Sequence, residues 1–134
     1  LSLVIDPESE MTSLPAKLPR EQLVSILGNL IDNALEATLN AQGSDGKVYL
    51  SMTDLGNDLI FEIEDQGPGI PPEQQDKIFE KGFSSKRNDG HGFGLHLVKN
   101  LLDKLSGTIT IECGSDGGSR FTVYIPKNKN RTDK

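Results

Sequence analysis

Residues 20–41, REQLVSILGNLIDNALEATLNA, constrain the fold more than any other stretch of this chain. Leu23, Ile26, Leu27, Leu30, Ile31, Ala34 and Leu35 recur at i, i+3, i+4 spacing, which predicts one long amphipathic helix with an apolar stripe. Pro19 precedes it and the breaker-rich QGSDG ends it. One stripe on one helix must be covered by another layer, and the rest of the chain supplies strands.

LSLVIDP alternates apolar and polar residues and reads as a short strand stopped by Pro7; SEMTSLPAKLP is a turn-rich connection. After the helix, KVYLSMTDL and DLIFEIED read as two strands joined at Gly56-Asn57, a hairpin signal. QGPGIPP is a loop, and PEQQDKIFEKG opens on proline with a short helical pattern. FSSKRNDGHG is polar and small and is predicted to be mobile. FGLHLVKNLLDKLSG is a second helix with Gly107 as its stop, and TITIECGSDGGSRFTVYIP is a final hairpin turning at Asp116-Gly117-Gly118. Hairpin-joined strands with helices between them predict an α+β, two-layer sandwich: a mixed, mostly antiparallel sheet with helices on one face and water on the other.

At 134 residues this is read as one domain, 1–126, with 127–134 (KNKNRTDK ends here) as a disordered tail. The net charge of −6 argues against a nucleic-acid surface, which needs clustered Lys and Arg. The one cysteine, Cys113, excludes an internal disulfide and reads as a small core or edge residue. No apolar run approaches the ~20 residues of a membrane span. Because the chain starts on a strand, it is expected to be a piece of a longer protein.

Four features carry chemistry. Asn29 and Asn33 lie four residues apart on one side of the long helix, at the rim of its apolar stripe. Neutral amide oxygens there suit Mg²⁺, which keeps several waters and shares phosphate oxygens; a single Asn in such a place would be an ordinary surface residue. In EDQGPGI a strand delivers Asp65 to a turn whose glycines, Gly67 and Gly69, let backbone approach a ligand. A buried carboxylate can accept hydrogen bonds from an exocyclic amine such as that of adenine, although DxGxG alone is also a common strand-end turn. The loop between Phe79 and Phe93 carries Lys86 and Arg87, cations able to fold over a polyphosphate. In GHGFGL, Gly90, Gly92 and Gly94 expose successive N–H groups before a helix N-terminus, which favours phosphate.

Taken together, GNLIDNALEA, DQGPGI, KIFEKGFSSK, GHGFGL and GSRFTVYIP, in this order, resemble the GHKL ATP-binding superfamily. That superfamily includes gyrase-type ATPases, large heat-shock chaperones, mismatch-repair ATPases and sensor histidine kinases. The chain is most similar to the catalytic ATP-binding domain of a bacterial sensor histidine kinase, in wording close to the citrate and C4-dicarboxylate sensing group. The resemblance runs from about Leu3 to Pro126 and implies the Bergerat-type ATP-binding fold. It further implies that Asn33 ligates Mg²⁺ and that Asn29 lines the phosphate side. Asp65 would take the adenine amino group, with Gly67 and Gly69 turning around the base. Gly90, Gly92 and Gly94 would close over the phosphates, and the Ser119 hydroxyl would reach the base through water. Ile70 and Leu95, which end two of these motifs, are counted with the ATP-binding residues. Many sensor kinases hold a basic residue where this chain has Glu36, which leaves Lys86 or Arg87 to neutralise phosphate.

In the hydrolysing members a glutamate one turn before the Mg²⁺ asparagine activates water. Asn29 stands there instead, and an amide cannot accept a proton at neutral pH. The resemblance therefore implies a kinase that holds Mg·ATP and presents its γ-phosphate to an acceptor histidine on a separate dimerisation domain. Neither His91, in the glycine loop, nor His96, early in the second helix, fits an acceptor histidine. The expected setting is the cytoplasmic domain of an inner-membrane sensor protein, with a response regulator downstream and the isolated domain monomeric. Two alternatives use the same fold: a protein-serine kinase of the anti-sigma type, and an ATP-hydrolysing conformational switch.

Overall fold

The computed structural model describes residues 2–5, 20–55, 58–80, 94–113 and 117–126. The predicted long helix forms as α1 (Arg20–Gln42), closed by a 3₁₀ turn at Gly43–Asp45. The other elements are β1 (Ser2–Ile5), β2 (Lys47–Leu55), β3 (Asp58–Glu64), α2 (Gly94–Lys104), β4 (Thr108–Cys113) and β5 (Ser119–Pro126). They build one five-stranded sheet in the order β1-β2-β3-β5-β4. β1 runs parallel to β2, and every other pairing is antiparallel. The fold is thus an α+β sandwich on a mixed, mostly antiparallel sheet, as the hairpin-rich order predicts.

The strand alternation decides which side meets the helices. Leu59, Phe61 and Ile63 of β3 sit opposite Ile125, Val123 and Phe121 of β5 and are all buried. They pack with Leu23, Ile26, Leu30 and Ala34 of α1 and Val98 and Leu102 of α2 in one apolar core. Burying each large apolar side chain contributes roughly 1.5–3 kcal/mol, so this shared core holds the two layers together. The opposite face is polar: on one rung, Arg120 of β5 lies between Glu64 of β3 (3.6 Å) and Glu112 of β4 (2.8 Å).

Several local expectations are corrected. The PEQQDKIFEKG segment forms two 3₁₀ turns, Pro72–Gln74 and Lys77–Phe79, rather than an α-helix. It is too short to repay helix nucleation. The stop of α2 is taken by Ser106, whose φ is 61°. The Ser106 N–H donates to the Asp103 carbonyl (3.3 Å) and the Gly107 N–H to that of Leu102 (2.8 Å). This is a Schellman closure with Gly107 one residue past the left-handed position. Of the two places expected for Cys113, core or edge, it takes the edge: it is exposed on the edge strand β4. The predicted turn residues Gly56, Asn57 and Asp116 lie outside the described residues, as do the 9–19 connection, the 83–92 loop and the 127–134 tail.

Candidate functional site

Asp65 continues the inward series Leu59, Phe61, Ile63, so the alternation of β3 carries a carboxylate onto the helix-facing side where apolar residues precede it. It is 5% exposed. Its N–H donates to the Ser119 carbonyl at 2.9 Å, which adds one more rung to the β3–β5 ladder. The N–H groups of Gly67 (2.9 Å) and Ser119 (3.1 Å) both donate to its Oδ1. Among the described residues these two bonds fall on one oxygen, which fixes the carboxylate plane and leaves Oδ2 able to accept a further hydrogen bond.

The same surroundings set its charge. Burial pushes the Asp65 carboxyl above the ordinary carboxylate value; the two backbone N–H bonds work against that rise, and neighbouring Glu64 adds to it. A carboxylate kept in a poorly hydrated place but supplied with two donors is suited to accept a hydrogen bond from a neutral donor.

Three glycines let backbone close around this group. A Cβ on Gly67 would stand 2.8 Å from Ala37 Cβ on α1. Gly69 has a φ of +84°, and a Cβ there would meet the Gly117 carbonyl at 2.9 Å. A Cβ on Gly118 would land on the Asp65 carbonyl and lie 2.8 Å from Asp65 Oδ1. Gly67 and Gly69 thus both lie where the chain folds tightly after Asp65. Gly118, read from the sequence only as a turn residue, proves to be the position that lets β5 cross Asp65. Ile70 follows, half-buried against the core, and Ser119 is buried.

The asparagines sit on α1, both half-buried. Asn29 Nδ2 donates to the Ser25 carbonyl at 2.8 Å. A carbonyl can only accept, so this bond also assigns the amide and turns Oδ1 outward. A Cβ on Gly94, the first residue of α2, would stand 2.9 Å from that Oδ1. Asn29, Asn33 and Ala37 succeed one another at four-residue spacing, so they share one stripe of the helix. Gly67 closes on the Ala37 end of the stripe and Gly94 on the Asn29 end. Eight residues at 1.5 Å rise separate those ends by about 12 Å, with Asn33 midway.

The structure therefore brings Asn29, Asn33, Asp65, Gly67, Gly69, Ile70, Gly94, Leu95 and Ser119 into one wall-and-rim arrangement formed by α1, the β3 end, the β5 start and α2. Leu95 packs half-buried against the core. Lys86, Arg87, Gly90 and Gly92 lie outside the described residues, as does His91. His96 is half-buried, with Nδ1 3.4 Å from the Phe79 carbonyl and Nε2 3.3 Å from Asn100 Nδ2. That setting suits a structural residue.

The donor set also bears on a metal. Among the described residues no group of three or more His, Cys, Asp or Glu could hold an ion. A cation on this stripe would take an amide oxygen from the chain and the rest of its shell from water and ligand, which is how Mg²⁺ binds beside phosphates.

Residues 19–129 match the family described as histidine kinase-, DNA gyrase B-, and HSP90-like ATPase. The chain is 46% identical over 125 residues to the sensor protein CitS of Halalkalibacterium halodurans, covering 93% of this chain and 23% of that protein. It is 33% identical to a probable C4-dicarboxylate sensor kinase of the same organism, covering 96% of this chain and 24% of that protein. Among solved structures, it superposes on the nucleotide-free catalytic domain of histidine kinase ThkA with a TM-score of 0.78 and 28% identity, covering 97% of this chain and 80% of that one. It also matches full-length ShkA, solved in complex with AMPPNP, with a TM-score of 0.74 and 26% identity over 93% of this chain and 25% of that one. The chain thus spans about a quarter of the length of the curated relatives it matches.

Proposed function

This chain belongs to the histidine kinase-, DNA gyrase B-, and HSP90-like ATPase family, and we propose that it is the ATP-binding catalytic part of a sensor histidine kinase. In this reading residues 1–126 hold Mg·ATP and present its γ-phosphate to an acceptor histidine on a dimerisation domain elsewhere in the parent protein. The observation that carries it is the Asp65 carboxylate, buried at a strand end, held through Oδ1 by two backbone N–H groups and surrounded by close-packed glycines.

Asp65 Oδ2 would accept the exocyclic amine of adenine, with Gly67, Gly69 and Ile70 around the base and Ser119 reaching it through water. From there the α1 stripe would carry the nucleotide past Asn33 to Asn29 and the Gly94 end of α2. The phosphates would then lie near a helix N-terminus, where backbone N–H groups favour negative charge. Gly90, Gly92, Lys86 and Arg87 would complete that end. Asn33 would give its amide oxygen to Mg²⁺, which when bound spreads the charge that develops during phosphoryl transfer.

Asn29 argues for a kinase over a hydrolysing switch. Its Nδ2 is engaged by Ser25 and its Oδ1 cannot take a proton from water at neutral pH. ATP would therefore wait for an imidazole delivered from another domain. A protein-serine kinase of the anti-sigma type would use the same pocket, but the likeness to the catalytic domain of histidine kinase ThkA supports histidine as the acceptor. No helix among the described residues is long and apolar enough to cross a membrane. We place the chain on the cytoplasmic side of an inner-membrane sensor that signals to a response regulator, with the isolated domain monomeric.

Incubation with γ-labelled ATP and Mg²⁺ tests this reading. The chain alone should release phosphate slowly and retain no label; adding the histidine-bearing helices of the parent should place acid-labile label on those helices. Rapid steady-state phosphate release by the chain alone would favour the hydrolysing switch.

A further inference from the structure

Thr38 is fully buried on α1, at 0% exposure, at four-residue spacing after the core residues Leu30 and Ala34. A valine of the same shape would suit such a place better, because a buried hydroxyl must find partners. The Thr38 hydroxyl has one: Oγ1 accepts the N–H of Gln66 at 2.9 Å. Gln66 directly follows Asp65, and the next N–H along, that of Gly67, is the one that donates to Asp65 Oδ1. Thr38 thus fixes the peptide between the carboxylate and one of its two donors.

The neighbourhood holds this bond in place. A Cβ on Gly46 would overlap Thr38 Cγ2, so the threonine methyl is pinned against the Gly46 backbone and its rotamer is fixed. Gln66 is anchored twice more at the surface: its carbonyl accepts from Gln42 Nε2 at 3.3 Å, and its Oε1 accepts the Lys47 N–H at 2.8 Å. Gln42 is on α1 and Lys47 starts β2, so these three bonds run from the loop after Asp65 back to α1 and its exit. Of these three bonds, the Thr38 one comes from a side chain in the core.

We infer that Thr38 is a positioning residue for base recognition, acting through the Gln66 peptide to hold Gly67 and the Asp65 carboxylate in the orientation that accepts an exocyclic amine. It touches no ligand, since it is enclosed. The inference rests on the nucleotide-site reading above and adds a determinant that lies on the helix rather than in the loop. Thr38→Val removes the acceptor while keeping the volume, and leaves the Gln66 N–H without its buried partner. Thr38→Ser keeps the hydroxyl and drops the methyl.

The test titrates the 134-residue chain with ATP and with its inosine analogue, which carries a carbonyl oxygen in place of the amine, in the presence of Mg²⁺. The unsubstituted chain should prefer ATP. Thr38→Val should weaken ATP by about tenfold while affinity for the inosine nucleotide changes by less than about twofold, the loss expected from one misplaced hydrogen bond. Thr38→Ser should restore the preference. If the valine variant does not fold by circular dichroism, Thr38→Ala removes the same acceptor and is read the same way. An unchanged ATP preference in the hydroxyl-free variant, or equal loss for both nucleotides, would overturn the inference while leaving the ATP site standing. Failure of the unsubstituted chain to bind ATP would instead overturn the site reading itself.

Discussion

Replacing Gly118 by alanine tests how closely the site is packed. The added Cβ would fall on the Asp65 carbonyl oxygen and 2.8 Å from both the Asp65 carbonyl carbon and Oδ1. The first two are backbone atoms and Oδ1 is held by the Gly67 and Ser119 N–H groups, so β5 must move away from Asp65. Two bonds span that gap: Asp65 N–H to the Ser119 carbonyl (2.9 Å) and Ser119 N–H to Asp65 Oδ1 (3.1 Å). A neutral backbone bond contributes about 0.5–1.5 kcal/mol and one to a charged group about 1.5–3, so losing both costs about 2–4.5 kcal/mol. Adjacent Gly117 provides the control. Its φ is +91° but nothing lies within 4 Å of a Cβ there, so Gly117→Ala carries only backbone strain of about 1–2 kcal/mol. Urea unfolding should rank Gly118→Ala well below Gly117→Ala in stability. Calorimetry with Mg·ATP should show at least tenfold weaker binding for the first and little change for the second. Equal effects of the two alanines on ATP affinity would refute the packing argument.

Three further outcomes follow from the same geometry. Gly94→Ala places a methyl 2.9 Å from Asn29 Oδ1, a side-chain tip that can turn away at the expense of its Nδ2 bond to the Ser25 carbonyl, and should cost no more than about 0.5–1.5 kcal/mol of stability, with weaker triphosphate binding in the same titration. Asn33→Asp should make nucleotide affinity more steeply dependent on Mg²⁺ concentration, seen by repeating the titration over a range of free metal; an unchanged dependence would remove Asn33 from the metal site. Asp65 has its folded-state value raised by burial, so the folded state holds its proton more tightly than the unfolded chain does. Its contribution to stability is then fully present below about pH 3.9 and is lost as pH rises through the raised folded value. Relative to Asp65→Asn, the unsubstituted chain should therefore lose stability across that window in pH-dependent urea unfolding.

The candidate site was legible where a residue broke its local pattern. Asp65 is a carboxylate on the inward register of an otherwise apolar strand, and two asparagines interrupt the rim of an apolar helix face. Both anomalies survive folding as parts of one wall. Thr38 and Gln66 were missed because each looks ordinary by itself: a threonine near a helix end, a glutamine before a glycine turn. The signal lay in spacing, since Thr38 continues the Leu30–Ala34 series onto the buried face, where a hydroxyl needs a partner. Gly118 was read as turn chemistry because a pair of glycines at a hairpin explains itself; only the packing against Asp65 separates the second glycine from the first. Local backbone details were least legible. Ser106 takes the left-handed position at the end of α2, and the segment after Pro71 settles into 3₁₀ turns, because tertiary packing decides such short pieces.

The measurement closest to the central claim is calorimetric titration of the chain and its Asp65→Asn variant with a non-hydrolysable ATP analogue and Mg²⁺. The account predicts one nucleotide per chain for the unsubstituted protein. It predicts binding at least tenfold weaker for the variant, whose far-ultraviolet circular dichroism is unchanged because the amide oxygen still accepts the Gly67 and Ser119 N–H bonds. Equal affinity in the two folded proteins would contradict it.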